Sequence, residues 1–240
     1  MVVVDALGSP ALARRLLAEI ARVTAQPVTH VVVTHYHADH IYGLQVFKAA
    51  GATIVAERHG REYLGSETAR LRLQSSIDEG LTEAGTRLAP ADTWLDGSAS
   101  LEVGGVRLEL LHVGPAHTAE DLALFVPSEG VLFAGDLVFR GRVPFVGQAD
   151  SRRWIESLDH LLQLPASVIV PGHGPHSTET KADLQLTRDY LVYLRATMGA
   201  AAKAMAPFDE GPMQERTGHA SRRCRSSRRQ TESMPTTPTC

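Results

Sequence analysis

Residues 34–43 read THYHADHIYG and place four possible metal-binding side chains within six residues: His35, His37, Asp39 and His40. They directly follow VTHVVV, an apolar and β-branched run at residues 28–33 that is typical of a buried strand. Polar groups at the end of a buried strand are costly unless they have partners. We therefore expect partners for these four side chains elsewhere in the chain.

Three more polar residues follow apolar runs. His117 lies in LLHVGPAHT, Asp136 ends VLFAGD, and His173 ends VIVPGH. Because strand ends at one edge of a sheet converge in space, we expect all seven residues to share one cleft. Imidazoles and carboxylates suit zinc, with iron or manganese as alternatives.

Seven residues exceed the needs of one catalytic zinc, which takes three protein ligands and keeps one open position. The number fits two metal ions with one carboxylate between them. The HxHxDH spacing favours a turn in which His35 and His37 face one ion while Asp39 and His40 face the other. Taken alone, Asp39 could be a helix cap and Asp136 a turn residue. Three other histidines are interpreted as surface or capping residues: His30, His112 and His176.

Strand and helix patterns alternate along the chain. The apolar periods predict strands at residues 2–5, 28–33, 52–56 and 167–170 and helices at residues 10–23, 41–50, 57–81, 151–162 and 178–206. Two hairpins are predicted between them, with turns at Gly104-Gly105 and at residues 128–130. Asp136 is predicted to come directly after a strand. This succession indicates layered sheets covered by helices.

Composition divides the chain into two parts. The 240 residues are 43% hydrophobic and 21% charged, which suits one globular domain, predicted at residues 1–206. Residues 207–240 are rich in Arg, Ser and Thr without an apolar period, so a disordered tail is predicted there. The net charge is −3, of which the tail carries +2 and residues 1–206 carry −5. A negative domain disfavours nucleic acid as a partner.

Neither a membrane span nor a disulfide is expected in the domain. No apolar run reaches about 18 residues, and both cysteines, Cys224 and Cys240, lie in the predicted tail. The first ten residues, MVVVDALGSP, lack the basic segment of a signal peptide. The expected compartment is therefore the cytoplasm, with the periplasm as the alternative if residues precede Met1.

The motifs THYHADH, GPAHT, FAGD and PGHG, in this order, resemble the metallo-β-lactamase superfamily of metal-dependent hydrolases over roughly residues 2–206. GDLVFRGRVPFVG and VIVPGHG resemble its mostly uncharacterised branch close to glyoxalase II. The resemblance implies an αββα sandwich, in which two sheets pack face to face with helices outside. Members of the family usually have strands before the one at residues 2–5, so the first sheet is expected to be N-terminally incomplete.

The resemblance also implies roles for the seven residues. His35, His37 and His117 would hold a first metal, Asp39, His40 and His173 a second, and Asp136 would bridge the two. Two zinc ions are expected, with a small-molecule substrate that is an ester, thioester, lactone or lactam. Asp39 and Asp136 are the catalytic candidates: Asp39 would orient the attacking hydroxide, and Asp136 would fix the spacing of the metals.

Other functions within the superfamily fit less well. One group of true β-lactamases has a cysteine near the position of Asp136, and residues 1–206 contain none. The ribonuclease branch shares HxHxDH, but the negative domain suits a polyanion poorly. Persulfide dioxygenases with one iron resemble the chain at THYHADH, although LVFRGRVPFVG lacks their Arg-Thr-Asp pattern. A truncated fragment of low activity is the remaining alternative.

Overall fold

The computed structural model describes residues 1–205 of the chain, as two sheets and the helices around them. The first sheet has four parallel strands in the order β1-β2-β3-β4. These strands are β1 (Val2–Val4), β2 (His30–Val32), β3 (Thr53–Glu57) and β4 (Thr93–Leu95). The helices between them are α1 (Pro10–Val23), α2 (Ala38–Ile41), α3 (Leu44–Ala49), α4 (Gly60–Leu64) and α5 (Glu67–Asp78).

The second sheet has five strands in the order β5-β6-β7-β8-β9. They are β5 (Ala99–Val103), β6 (Val106–His112), β7 (Leu122–Val126), β8 (Val131–Phe139) and β9 (Val168–His173), with α6 (Ser151–Leu161) and α7 (Thr180–Lys203) following β8 and β9. The first four strands pair antiparallel, as the two predicted hairpins require, and β9 pairs parallel to β8.

The fold has four layers, two sheets and a layer of helices on the outer face of each, and three buried apolar clusters lie between them. Val32 and Val55 of the first sheet pack with Leu108 and Leu124 of the second between the sheets. The other face of the first sheet packs against α1 and α3, through residues such as Ala13 and Phe47. The other face of the second sheet packs against α6 and α7, through Trp154, Leu158 and Leu184. The predicted αββα sandwich is confirmed.

Two segments predicted as continuous helices are each interrupted. The helix predicted at residues 41–50 is interrupted at Gly43, whose N–H donates to Leu7 O at 3.1 Å instead of continuing the helical ladder. The backbone at Gly43 is also so close to the first sheet's loop that a Cβ there would lie 2.0 Å from Ala6 O. The segment at residues 57–81 forms α4 and α5, and Ser66 begins α5 by accepting from Ala69 N at 3.1 Å.

The chain divides into two units, Met1–Leu191 and Val192–Cys240. The predicted tail at residues 207–240 lies outside the described residues, so the predicted domain limits stay predictions. Over residues 1–205, none of the helices combines the length and apolar character needed to cross a membrane.

Candidate metal centre

All seven residues singled out by the sequence lie around one point at an edge of the two sheets. His35 and His37 lie in the loop after β2, and Asp39 and His40 lie on α2, which follows at once. His117 lies in the loop between β6 and β7, and His173 is the last residue of β9. The prediction that Asp136 comes directly after a strand is wrong, because Asp136 lies inside β8. The strand continues past Asp136 to Phe139, which pairs with His173, and the register with β9 shifts on both sides of Gly135.

The side chains form two groups, and in each group one possible ligand atom per residue lies within 4.8 Å of the others. The first group is His35, His37, His117 and Asp136, and the second is Asp39, His40 and His173. Asp136 lies between them: its Oδ2 is 3.5 Å from His117 Nε2, and its Oδ1 is 3.3 Å from His40 Nε2. Its side chain is only 5% exposed.

In the first group, hydrogen bonds to the outer ring nitrogens direct the inner nitrogens towards each other. His117 Nδ1 lies 3.0 Å from Phe145 O, and His37 Nε2 lies 3.3 Å from Gln148 Oε1. When these two nitrogens carry the protons, His117 Nε2 and His37 Nδ1 face one another at 3.0 Å with a lone pair each. Two facing lone pairs repel, and a cation between them would remove that repulsion.

In the second group, His40 is held by a residue that sequence reasoning missed. Asp5 Oδ2 accepts from His40 Nδ1 at 2.7 Å and from Thr34 Oγ1 at 2.8 Å, while Asp5 Oδ1 accepts from Thr34 N at 2.8 Å. His40 Nε2 is thereby left to face Asp136. A signal for Asp5 existed, because it follows the apolar run VVV as Asp136 and His173 follow theirs.

The pKa values in this cluster move in opposite directions. Burial lowers the pKa of His117 to about 4, and burial together with the charge of His40 holds the pKa of His35 well below its ordinary value. Hydrogen bonds to Asp136 and Asp39 raise the pKa of His173 to about 9. For His40, burial is outweighed by the carboxylates of Asp5 and Asp136, which raise its pKa. The carboxylates of the second group therefore favour positive charge at His40 and His173.

The donor set fits divalent metal ions. Three buried side-chain atoms of the cluster have no hydrogen-bond partner among the described residues: His35 Nε2, His40 Nε2 and Asp136 Oδ1. Unsatisfied buried polar atoms are rare, and here they converge from three elements on the same space. Neutral imidazole and carboxylate are ligands that zinc, iron and manganese accept.

Two acidic residues of the loop that carries His117 anchor it. Glu120 Oε1 accepts from Tyr36 N at 3.0 Å, between His35 and His37. Asp121 accepts from Thr118 N at 2.8 Å and from Thr118 Oγ1 at 2.7 Å. These contacts join the loop to the THYHADH turn on one side and brace it internally on the other. Sequence reasoning did not identify either residue.

A family model described as Metallo-beta-lactamase superfamily matches residues 2–173, and the chain belongs to this superfamily. A linear primary-alkylsulfatase of Pseudomonas sp. (strain ATCC 19151) is 26% identical over 232 residues, which are 81% of this chain and 44% of that protein. A hydroxyacylglutathione hydrolase of Synechococcus sp. is 28% identical over 166 residues, which are 69% of this chain and 56% of that protein. The chain thus spans about half the length of these relatives.

The fold has close counterparts among solved structures. A metallo-beta-lactamase family protein from Thermus thermophilus superposes with a TM-score of 0.63 at 26% identity, covering 82% of this chain and 73% of that one. The resemblance deduced from the motifs is confirmed, and the relatives named here include hydrolases. The superfamily and the clustered His and Asp side chains together support binding of divalent metal.

Proposed function

We propose that the chain is a binuclear metal-dependent hydrolase that cleaves a small ester, thioester, lactone or lactam. The observation that carries this proposal is the position of Asp136. One of its oxygens faces His40 at 3.3 Å and the other faces His117 at 3.5 Å, so one buried carboxylate serves both groups. A single ion would leave one of the two groups without a cation.

The proposal assigns the seven ligands to the two ions in the way that the family resemblance implied. His35, His37 and His117 would hold one ion, Asp39, His40 and His173 the other, and Asp136 both. Zinc is the ion that this donor set favours, with iron or manganese as alternatives. When bound, two such ions supply an acidified water molecule and polarise the bond to be cleaved.

The protein's own contribution is to position groups. Asp136 fixes the separation of the two groups from its buried place on β8. Asp39 is 54% exposed, and its Oδ2 lies 3.0 Å from His173 Nε2. This carboxylate oxygen can accept a hydrogen bond from the attacking water and orient it towards the substrate.

The surroundings of the second group suit a small substrate with an apolar part. A cavity of about 460 Å³ is lined by Asp39, His40 and His173 and by Leu7 and Leu12, among other residues. Both leucines are partly exposed, so their side chains are available to a ligand. Apolar walls with a few convergent polar groups are typical of small-molecule sites.

The test is turnover by the zinc-loaded protein on a chromogenic acyl ester, an acyl thioester of glutathione, an aliphatic lactone and a β-lactam. We expect hydrolysis of at least one, and the rate of Asp136→Ala should fall to that of the metal-free protein. His160→Gln, at an exposed histidine of α6, is the matched control and should keep the wild-type rate. Undiminished turnover by Asp136→Ala would exclude the mechanism.

A second candidate function is sulfate-ester hydrolysis, which the extent of the alkylsulfatase match favours, since it covers 81% of this chain. A medium-chain alkyl sulfate therefore belongs in the same assay. The oxygenase alternative predicts one iron per chain and oxygen consumption with a persulfide. Two zinc ions at this centre, without oxygen consumption, would support the hydrolase instead.

A further inference from the structure

The third group of possible ligands in the described part of the chain shares no residue with the centre above. It consists of Glu57, His59 and His112, and one possible ligand atom of each lies within 4.8 Å of the others. This is the same spacing that defines the two groups of the main centre. Glu57 ends β3, His59 follows it by two residues, and His112 ends β6. The group therefore joins the first sheet to the second.

Glu57 is a buried carboxylate whose hydrogen bonds, within the described residues, come from His59. Its side chain has no exposed surface. It accepts from His59 N at 2.7 Å and from His59 Nδ1 at 2.9 Å. A buried carboxylate is costly without a charged partner. The two arginines nearest in sequence are engaged elsewhere, since Arg58 pairs with Asp96 at 2.8 Å and Arg61 lies over the ring of Trp94 at 5.2 Å.

The two imidazoles lie next to each other and nearly parallel. Their rings lie 5.9 Å apart at an interplanar angle of 21°. His112 Nε2 lies 3.3 Å from Ala119 O, so a proton on that nitrogen leaves Nδ1 with a free lone pair. His59 is 39% exposed, and it borders an open pocket of about 590 Å³ together with Trp94. An ion can reach the group from solvent.

The geometry points to a second metal site, in which Glu57, His59 and His112 bind one Zn²⁺ that ties the two sheets together. Metal–ligand bonds of about 2.0–2.1 Å place tetrahedral ligand atoms roughly 3.3 Å apart. Glu57 Oε2 and His59 Nδ1 are already close to that separation, at 2.9 Å. The ion takes the place of the proton on His59 Nδ1, and His59 binds as a neutral imidazole with its proton on the other ring nitrogen, Nε2. Water completes the coordination.

The site also touches the loop of the main centre. Ala119 O, which holds His112 Nε2, lies two residues after His117. An ion that fixes His112 therefore braces the end of β6 against this loop. The role that follows is structural: the ion stabilises the side of the fold on which the loop of His117 sits.

The experiment counts zinc on the full chain, stripped with chelator, reloaded with zinc sulfate, dialysed and measured by elemental analysis. We expect His59→Gln and His112→Gln each to bind one zinc ion fewer per chain than the wild type, and His160→Gln to bind the wild-type number. Thermal unfolding of each variant establishes that it is folded, and the half-exposed position of His59 makes His59→Gln the safer of the two.

Because only the difference in zinc content counts, the result does not depend on how many ions the main centre holds. A loss of one ion per chain from a variant that stays folded supports the second site. Wild-type zinc content in both His59→Gln and His112→Gln would overturn it. So would a loss of more than one ion per chain, because that would show that the group has no site of its own.

Discussion

At the scale of single residues, the candidate ligands depend on carboxylates that do not themselves point into the candidate metal centre. Asp5 has a φ of 60°, a left-handed conformation that non-glycine residues adopt rarely. Such a conformation persists where the surroundings fix it, and here three hydrogen bonds to Thr34 and His40 do so. The backbone at Asp5 thus places both oxygens where they hold His40 Nε2 towards Asp136.

We predict that Asp5→Asn weakens metal binding at the second group by about 10–100-fold, as is usual when the partner of a metal-ligating histidine is changed. Asparagine has one acceptor oxygen, whereas the three donors around Asp5 bind to both of its carboxylate oxygens. Competition with a chelator of known affinity measures the change. Asp78→Asn, at the exposed last residue of α5, is the matched control. Equal affinities for Asp5→Asn and the wild type would contradict this role.

A second residue-scale prediction concerns Asp121. Burial raises its pKa to about 8, against the hydrogen bonds from Thr118 that lower it. A carboxyl with a raised pKa binds more protons when folded than unfolded between about pH 4 and 8, so its contribution to stability falls as pH rises through that range. Asp121→Asn, which stays neutral, should gain stability relative to the wild type from pH 4 to 8.

Urea unfolding of the metal-free proteins at several pH values measures this difference. Asparagine can still accept from Thr118 N and donate to Thr118 Oγ1, so the loop should keep its conformation. Free energies of unfolding that run parallel for Asp121→Asn and wild type over pH 4–8 would show that Asp121 is ionised throughout.

At the scale of elements, the pair β8–β9 carries two candidate ligands, and glycines make its geometry feasible. Gly135, with φ 53°, lies so close to Thr34 that a Cβ would be 2.9 Å from the threonine Cβ. This close contact brings Asp136 beside the THYHADH turn. On β9, a Cβ at Gly172 would lie 2.0 Å from Asp136 Oδ1 and 2.8 Å from the carbonyl carbon of Gly135.

We predict that Gly172→Ala destabilises the fold by about 1–3 kcal/mol, the usual cost of overpacking, and displaces the Asp136 carboxylate. Both metal groups share that carboxylate, so zinc content should fall together with stability. Denaturant unfolding and zinc analysis measure the two effects. Gly85→Ala, where a Cβ would meet nothing within 4 Å, is the control. Unchanged zinc content in Gly172→Ala would contradict the tight fit around Asp136.

The elements also show which features of a fold its sequence can specify. Strands such as β2 and β9 were predictable because a short continuous apolar run is typical of a buried strand, whichever strands it pairs with. The break between α2 and α3 was not, because it depends on a hydrogen bond between Gly43 and Leu7, 36 residues earlier in the chain. The strand β4 was missed because three residues, TWL, give no readable alternation.

At the scale of the whole molecule, long-range contacts explain what the sequence could and could not predict of the site. The clustering of the seven residues was predictable because each belongs to a local motif at a strand or turn. His112 was interpreted as a surface residue because its neighbours in the group, Glu57 and His59, are more than 50 residues away in the chain. Only the packing of the first sheet against the second brings them together.

Because candidate ligands come from both sheets, metal removal should destabilise the molecule as a whole. A ligand that binds only the folded state adds about 2.7 kcal/mol at 100 times its dissociation constant. In a His59→Gln background, which isolates the main centre, we predict that zinc raises the midpoint of thermal unfolding and that chelation reverses the rise. Adding Asp136→Asn should abolish most of that gain. If the double variant gained as much as His59→Gln alone, the stabilising zinc would lie elsewhere, and Asp136 would not join the two groups.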